Sequence, residues 1–272
     1  MEHSKLIQFR GPEASLPAPL FSFLQQLGSI ESSEDVWKAF KSLGAALGFP
    51  AAAYIQAISS FDDAQDGTCS WHIHCCDSEG MAEHLPDLPV IRDMLCPQNG
   101  CASLEPRLLH SADQNGDMAE QRLRQTILDK IGMPVCLAIP LVSGDANERA
   151  VVLLGSRAPA LAFSSSLERF GCGLHLAAMA SHARYRALYK QEFVIRNQLT
   201  EKQTELVSLV GQGLLDKQIA HQLGISFSAV RQRLAAVQHK TGARNRAHLA
   251  AMAMRIGLTP DPLLNMAEIA AE

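Results

Sequence analysis

The sequence predicts an α+β chain of two domains. The first is an N-terminal α/β/α sandwich with a mainly antiparallel sheet, and the second is a C-terminal all-α module of four helices in a helix-turn-helix arrangement. Three observations predict this. Residues 135–142 (VCLAIPLV) and 149–156 (RAVVLLGS) are apolar runs of strand length, joined by Ser143-Gly144-Asp145-Ala146-Asn147, a hairpin signal. Residues 199–258 carry apolar side chains at helical spacing, interrupted by Gly at each stop. With 272 residues, 47% hydrophobic and 19% charged, the chain has a globular composition and enough length for two cores.

Taken in order, residues 1–15 are polar and contribute little to a core. Pro17 and Pro19 open an apolar helix over 18–28, ended by Gly28. Ser32 or Ser33 caps the next helix, whose Val36, Phe40, Leu43 and Leu47 fall on one face before Gly48-Phe49-Pro50 stops it. Residues 51–60 (AAAYIQAISS) and 69–76 (CSWHIHCC) read as paired strands around a turn at 61–67, FDDAQDG. Residues 77–116 hold Pro86, Pro89, Pro97 and Pro106, with short helical pieces near 80–85 and 88–95. Such a long irregular segment reads as a binding lid. Asp117 and Glu120 open a helix that buries Leu123, Ile127, Leu128 and Ile131. After the hairpin, Ser164-Ser165-Ser166 opens a long helix whose stripe runs from Phe170 through Leu174, Ala177, Ala178, Ser181 and Tyr185 to Leu188. The domains are therefore 1–189, a linker over 190–198, and 199–272.

The four-helix module is the most informative stretch. Thr200 and Gln203 spell a capping box. Leu206, Leu209 and Val210 form the buried face of the first helix, and Gly211 and Gly213 end it. The second helix starts near Asp216, buries Ile219, Ala220 and Leu223, and stops at Gly224. Ser226 or Ser228 caps the third, with Val230, Leu234 and Val237 inside and Gly242 closing it. Asn245 caps the fourth. Two helices joined by a short Gly-containing turn make a helix-turn-helix, which lays its second helix in a DNA major groove. The outer residues Phe227, Ser228, Arg231 and Gln232 are the candidate base readers, since Arg and Gln present the forked groups that guanine and adenine edges accept. Lys217, Arg233, His239 and Lys240 are candidates for phosphate contacts. Residues 199–258 hold eight Lys/Arg against three acids, a charge of +5 on a chain of −4, so the rest carries −9. A basic module on an acidic body suits a DNA binder that does not coat DNA indiscriminately.

This module resembles the LuxR-type DNA-binding domain through Leu199-Thr200, Glu205, Gly213, Ile219-Ala220, Leu223-Gly224-Ile225-Ser226, Val230, Lys240-Thr241-Gly242 and Asn245-Arg246. It departs from the family at Lys202-Gln203, usually Arg-Glu, and at Ala229-Val230-Arg231-Gln232-Arg233, usually Thr-Val-Lys-x-His. These changes leave the fold intact but put the operator sequence in doubt. The N-terminal domain resembles the GAF-like sensor of quorum-sensing LuxR proteins, best over 132–156 with Ile139-Pro140-Leu141. The resemblance implies a transcriptional regulator of double-stranded DNA, with RNA polymerase as a candidate further partner. The N-terminal residues lack an apolar signal region, so a cytoplasmic protein is expected. One helix reads too few base pairs for useful specificity, so a homodimer is expected. The apolar face of the fourth helix, Ala247, Ala250, Ala251 and Met254, is the expected contact between two such modules. The family's lactone site uses a Trp-x-x-x-Tyr pair and an Asp-Pro. Here Trp71 is followed four residues later by Cys75, and the Asp-Pro is Asp261-Pro262 near the C-terminus. The chain thus reads as an orphan or diverged receptor, with Tyr54 and Trp71 as candidate lining for a small apolar ligand of unknown identity, against the plainer reading that both are core.

Other chemistry finds little support. His72 and His74 share a strand face near Cys69, Cys75, Cys76, Cys96 and Cys101, but no metal-ligand spacing is present, so no metal and no cofactor is expected. Asp62-Asp63 reads as a turn rather than a phosphoreceiver site, because the hairpin at 135–156 conflicts with a parallel sheet. Gly171-Cys172-Gly173 lies within a helical stripe, and no catalytic nucleophile–base pair stands out, so no enzyme is expected. No secretory signal or membrane span is read from the chain. The competing class is a ligand, metal or redox switch acting mainly through protein–protein contacts.

Overall fold

The computed structural model describes residues 17–59, 69–74, 84–95, 105–114, 117–142, 149–157 and 160–259. The chain divides into two compact units at Arg184/Tyr185. The expectations for 1–15, for the turns at 61–67 and 143–147, for Asp62-Asp63, and for Cys75, Cys76, Cys96, Cys101 and Asp261-Pro262 lie outside the described residues.

The first unit is built on a sheet of five antiparallel strands in the order β2-β1-β5-β4-β3, with β1 Ala51–Ser59, β2 Cys69–His74, β3 Arg107–His110, β4 Val135–Val142 and β5 Arg149–Ser156. Strand β3 is a departure from the sequence reading, which placed 107–110 inside an irregular lid. Four residues directly after Pro106 give almost no periodic signal, and the strand exists because the β4 edge supplies its hydrogen bonds. Arg124 then ties the segment down, donating to the Asp113 carbonyl at 3.0 Å.

Strand alternation sends successive side chains to opposite faces of this sheet. On one face Ala53, Ile55, Val151, Leu153, Cys136, Ala138 and Leu109 pack with helices α3 (Pro89–Leu95) and α4 (Met118–Lys130), through Ile91, Met94, Leu95, Ile127 and Leu128. The register that places Tyr54 beside Val152, and Val152 beside Ile139, builds the other face. That face carries α1 (Ala18–Leu27), α2 (Ser33–Ala46) and the first part of α5 (Ala160–Arg196). Trp37 of α2 stacks on Tyr54 with ring centroids 4.1 Å apart, and Phe49 meets Phe163 of α5 edge to face at 5.0 Å. Asp117 caps α4 as expected, its carboxylate accepting from the N–H groups of Ala119 and Glu120.

Helix α5 is longer than its sequence signals. It begins at Ala160, four residues before the expected Ser164 cap, and continues to Arg196 through most of the expected linker 190–198. Residues 190–196 contain neither Gly nor Pro, so nothing in them stops a helix. Gly171-Cys172-Gly173 lies inside α5, and a side chain at 173 would collide with Leu20 of α1.

The second unit holds the end of α5 and four short helices: α6 Glu201–Gly211, α7 Asp216–Gln222, α8 Phe227–Thr241 and α9 Arg246–Arg255. Its core gathers Leu206, Val207, Leu209, Val210, Ile219, Val230, Leu234, Val237, Leu249 and Ala253, with Phe193 and Val194 of α5 packed against it. Each fully buried aliphatic side chain there contributes roughly 2 kcal/mol of hydrophobic stabilisation.

Candidate nucleic-acid interface

Local capping sets the start of each short helix of the second unit, the head. Gln203 donates its N–H to the Thr200 hydroxyl at 3.3 Å, and Thr200 donates back to the Gln203 side chain at 3.1 Å, completing the expected box. At α7 the Gln218 side chain accepts the Leu215 N–H at 2.7 Å. Ser226 caps α8, accepting from Ala229 at 3.2 Å, while its hydroxyl lies 3.0 Å from that of Ser228. Asn245 caps α9, accepting the His248 N–H at 2.8 Å.

The turn between α7 and α8 closes on Gly224, whose φ of +62° few side chains tolerate, and the Ile225 N–H reaches the Ala220 carbonyl at 3.0 Å. Arg246 was read from sequence only as a matching motif position and a positive charge. Its guanidinium bonds Asp216 at 2.8 Å and also the Leu214 carbonyl, tying α9 to the start of α7.

Helix α8 buries Val230, Leu234 and Val237. On the opposite side, Ser228, Gln232, Ala235 and His239 run along one exposed line at i, i+4, i+7 and i+11. Phe227, 45% exposed, and Arg231 flank that line, with the guanidinium carbon 6.0 Å from the ring centroid. Arg233 is half-buried on the other flank. The sequence reading omitted Ala235 and its exposed neighbour Ala236, whose small side chains leave room for close approach. Their place on the 3.6-residue line was the available signal.

The remaining candidates are distributed differently. Lys240 is exposed, but its ammonium donates to the Gln198 carbonyl at 2.6 Å and to the Gln203 side chain at 2.9 Å. Gln198 has a φ of +49°, so the lysine braces a left-handed corner at the end of α5. Lys217 lines a shallow depression with Leu214, Gln218, His221 and Gln222 on α7. On α9, Ala247 and Met254 are exposed and Ala250 and Ala251 half-buried, a single stripe beside the buried Leu249 and Ala253.

In the first unit, Tyr54 is 1% exposed, stacked on Trp37, and its hydroxyl lies 3.2 Å from Nδ1 of His182. Tyr54 thus packs in the core, the plainer of the two readings open to it. Trp71 pairs in register with Ala57, while Tyr54 pairs with His74. The side chains of Trp71, His72 and His74 lie outside the described residues. Burial pushes the His182 imidazole down from its ordinary 6.5 to about 4, so it is neutral at pH 7. Burial likewise pushes the Cys136 thiol up to about 12, which removes the thiolate that oxidation needs. Among the described residues no group of three or more His, Cys, Asp or Glu could hold a metal, and no helix is long and apolar enough to cross a membrane.

Residues 197–253 match the family model described as bacterial regulatory proteins, luxR family. The transcriptional regulatory protein YdfI of Bacillus subtilis (strain 168) is 38% identical over 61 residues, 22% of this chain and 29% of that protein. The HTH-type quorum sensing-dependent transcriptional regulator RpaR of Rhodopseudomonas palustris is 26% identical over 164 residues, 60% of this chain and 64% of that one. The chain thus aligns with under two thirds of the length of either relative. A crystal structure of Escherichia coli SdiA shares the fold, with a TM-score of 0.55 at 14% identity, covering 89% of this chain and 98% of the other. SdiA in complex with octanoyl-rac-glycerol gives 0.54 at 13% identity, covering 89% and 96%.

Proposed function

We propose that this chain, whose residues 197–253 match the luxR family of bacterial regulatory proteins, is a sequence-specific DNA-binding transcriptional regulator of the quorum-sensing type. One observation carries the reading. Helix α8 keeps Val230, Leu234 and Val237 inside while turning Ser228, Arg231 and Gln232 outward, with nothing in its own unit covering them. Buried apolar residues fix the helix, and exposed donors and acceptors are left to meet base edges.

The regulator acts as a homodimer. One such helix reads too few base pairs for useful specificity, and a second half-site supplies the rest. The α9 stripe of Ala247, Ala250, Ala251 and Met254 is the contact between two heads, and the 54% exposure of Met254 fits an apolar side chain awaiting a partner. Lys217, Arg233 and His239 hold phosphates. The first unit is the sensor, and a small apolar ligand biases it by binding one arrangement of the protein better than another. The lactone motifs are missing from the sequence, so the ligand belongs to another chemical class or regulation is ligand-independent.

The test is a gel shift of the full chain on duplexes selected in vitro from a random library, run across salt concentrations. Specific binding whose affinity falls steeply with salt is expected, because phosphate contacts release counterions. Arg231→Ala should lower specific affinity by ~1–3 kcal/mol while leaving the fold intact. Failure to select any sequence would end the regulator reading and favour a switch that works through protein contacts.

A further inference from the structure

We propose that Phe227 and Arg231 form one composite reader of a thymine–guanine element, with Phe227 against the thymine C5-methyl and Arg231 bonded to the guanine O6 and N7. The inference rests on the DNA-binding reading above and deepens it.

Phe227 opens α8, the end of a recognition helix that meets base edges first. A phenylalanine there needs a reason: it caps nothing, it lies outside the head's apolar core, and nearly half of its surface faces solvent. Four residues on, Arg231 sits on the same side of the helix with its guanidinium over the ring face, 6.0 Å from the centroid. The ring and the guanidinium therefore lie side by side on one exposed patch of the helix. Arginine binds guanine through O6 and N7, and an aromatic ring in the major groove meets one apolar group, the thymine methyl.

The spacing agrees with this pairing. Side chains at i and i+4 sit roughly 6 Å apart, and bases on one strand rise about 3.4 Å per step. The two targets then lie within one or two base steps of each other. Cytosine lacks the methyl and would leave the ring facing water, so the pair discriminates at two nearby positions where Arg231 alone would discriminate at one.

The experiment scans the selected duplex with deoxyuridine, which removes only the methyl, one thymine at a time, against the full chain. At a thymine within two steps of a guanine, the swap should weaken binding of the unaltered protein about fourfold, the effect of losing one buried methyl-sized group. Binding by Phe227→Ala should not respond to the same swap, and Phe227→Leu should keep part of the response. 5-Methylcytosine at that position, which restores the methyl on another base, should recover more affinity than cytosine. Specific binding with a flat deoxyuridine scan, or equal responses from the unaltered protein and Phe227→Ala, would overturn the composite reader and leave DNA binding standing. Absence of any selected sequence would overturn both.

Discussion

In the head unit, the groups that set each helix lie close in sequence. Thr200 and Gln203 bond each other, Ser226 bonds Ala229, and Asn245 bonds His248, all three residues apart. In the sheet unit the deciding partners are remote. Tyr54 meets His182 across 128 positions, and β1 is sandwiched between β2 and β5, the latter nearly a hundred residues downstream. The head thus gains its helices from local contacts, whereas the sheet unit forms its elements only once distant segments meet. The difference teaches where each unit is vulnerable. Substitutions in the sheet unit act on a shared interior, and those in the head act on separable braces.

The strongest challenge to this contrast is Trp37→Ala. It removes the ring that stacks on Tyr54 and meets Phe40 at 5.8 Å, and a loss of about 3–5 kcal/mol is expected. In urea unfolding, the sheet unit's midpoint should fall while the head's stays in place. Equal shifts in both would show that the units unfold together.

A smaller effect is expected from acid. The folded His182 imidazole takes a proton only near pH 4, while the unfolded one takes it near 6.5. The unfolded chain therefore binds more protons in that window. Stability is complete above 6.5 and drops as pH falls towards 4, by about 3 kcal/mol. Replacing His182 with Gln should flatten this limb of the stability profile, and superimposable profiles would remove His182 as its cause.

The smallest change concerns Lys240→Met. Losing the bonds to Gln198 and Gln203 at an exposed site should cost about 1 kcal/mol, read as a lower Tm of the head. An unchanged Tm with a salt slope reduced by about one would make Lys240 a phosphate ligand rather than a brace.

The same contrast explains what could be read from the sequence. The head was legible to its caps: the box at Thr200, the stop at Gly242 with φ +71°, and the buried spacing of α8 all appear as expected. In the sheet unit, the strands with strong patterns were legible, β4 and β5 to the residue. Strand β3 was not, because its identity lies in the β4 edge rather than in Arg107–His110. Tyr54 was ambiguous for a related reason, since an aromatic on a strand looks the same whether it lines a cavity or stacks on Trp37. At the candidate interface, the outward residues of α8 could be read from periodicity. The bonds already held by Lys240 and Arg246 could not, because a basic side chain in sequence does not reveal that a carbonyl or carboxylate has claimed it.

The persistence of α5 to Arg196 bears on how the DNA-binding piece could be isolated. Cutting just ahead of Leu199, where the motif begins, would discard Phe193 and Val194 from the interior and strip Lys240 of the carbonyl it grips. It would also remove Arg186, which donates to the Arg255 carbonyl at 3.1 Å and so closes the far end of the last helix. A self-sufficient fragment has to start fourteen residues earlier, at Tyr185, and carry its stretch of the long rod with it.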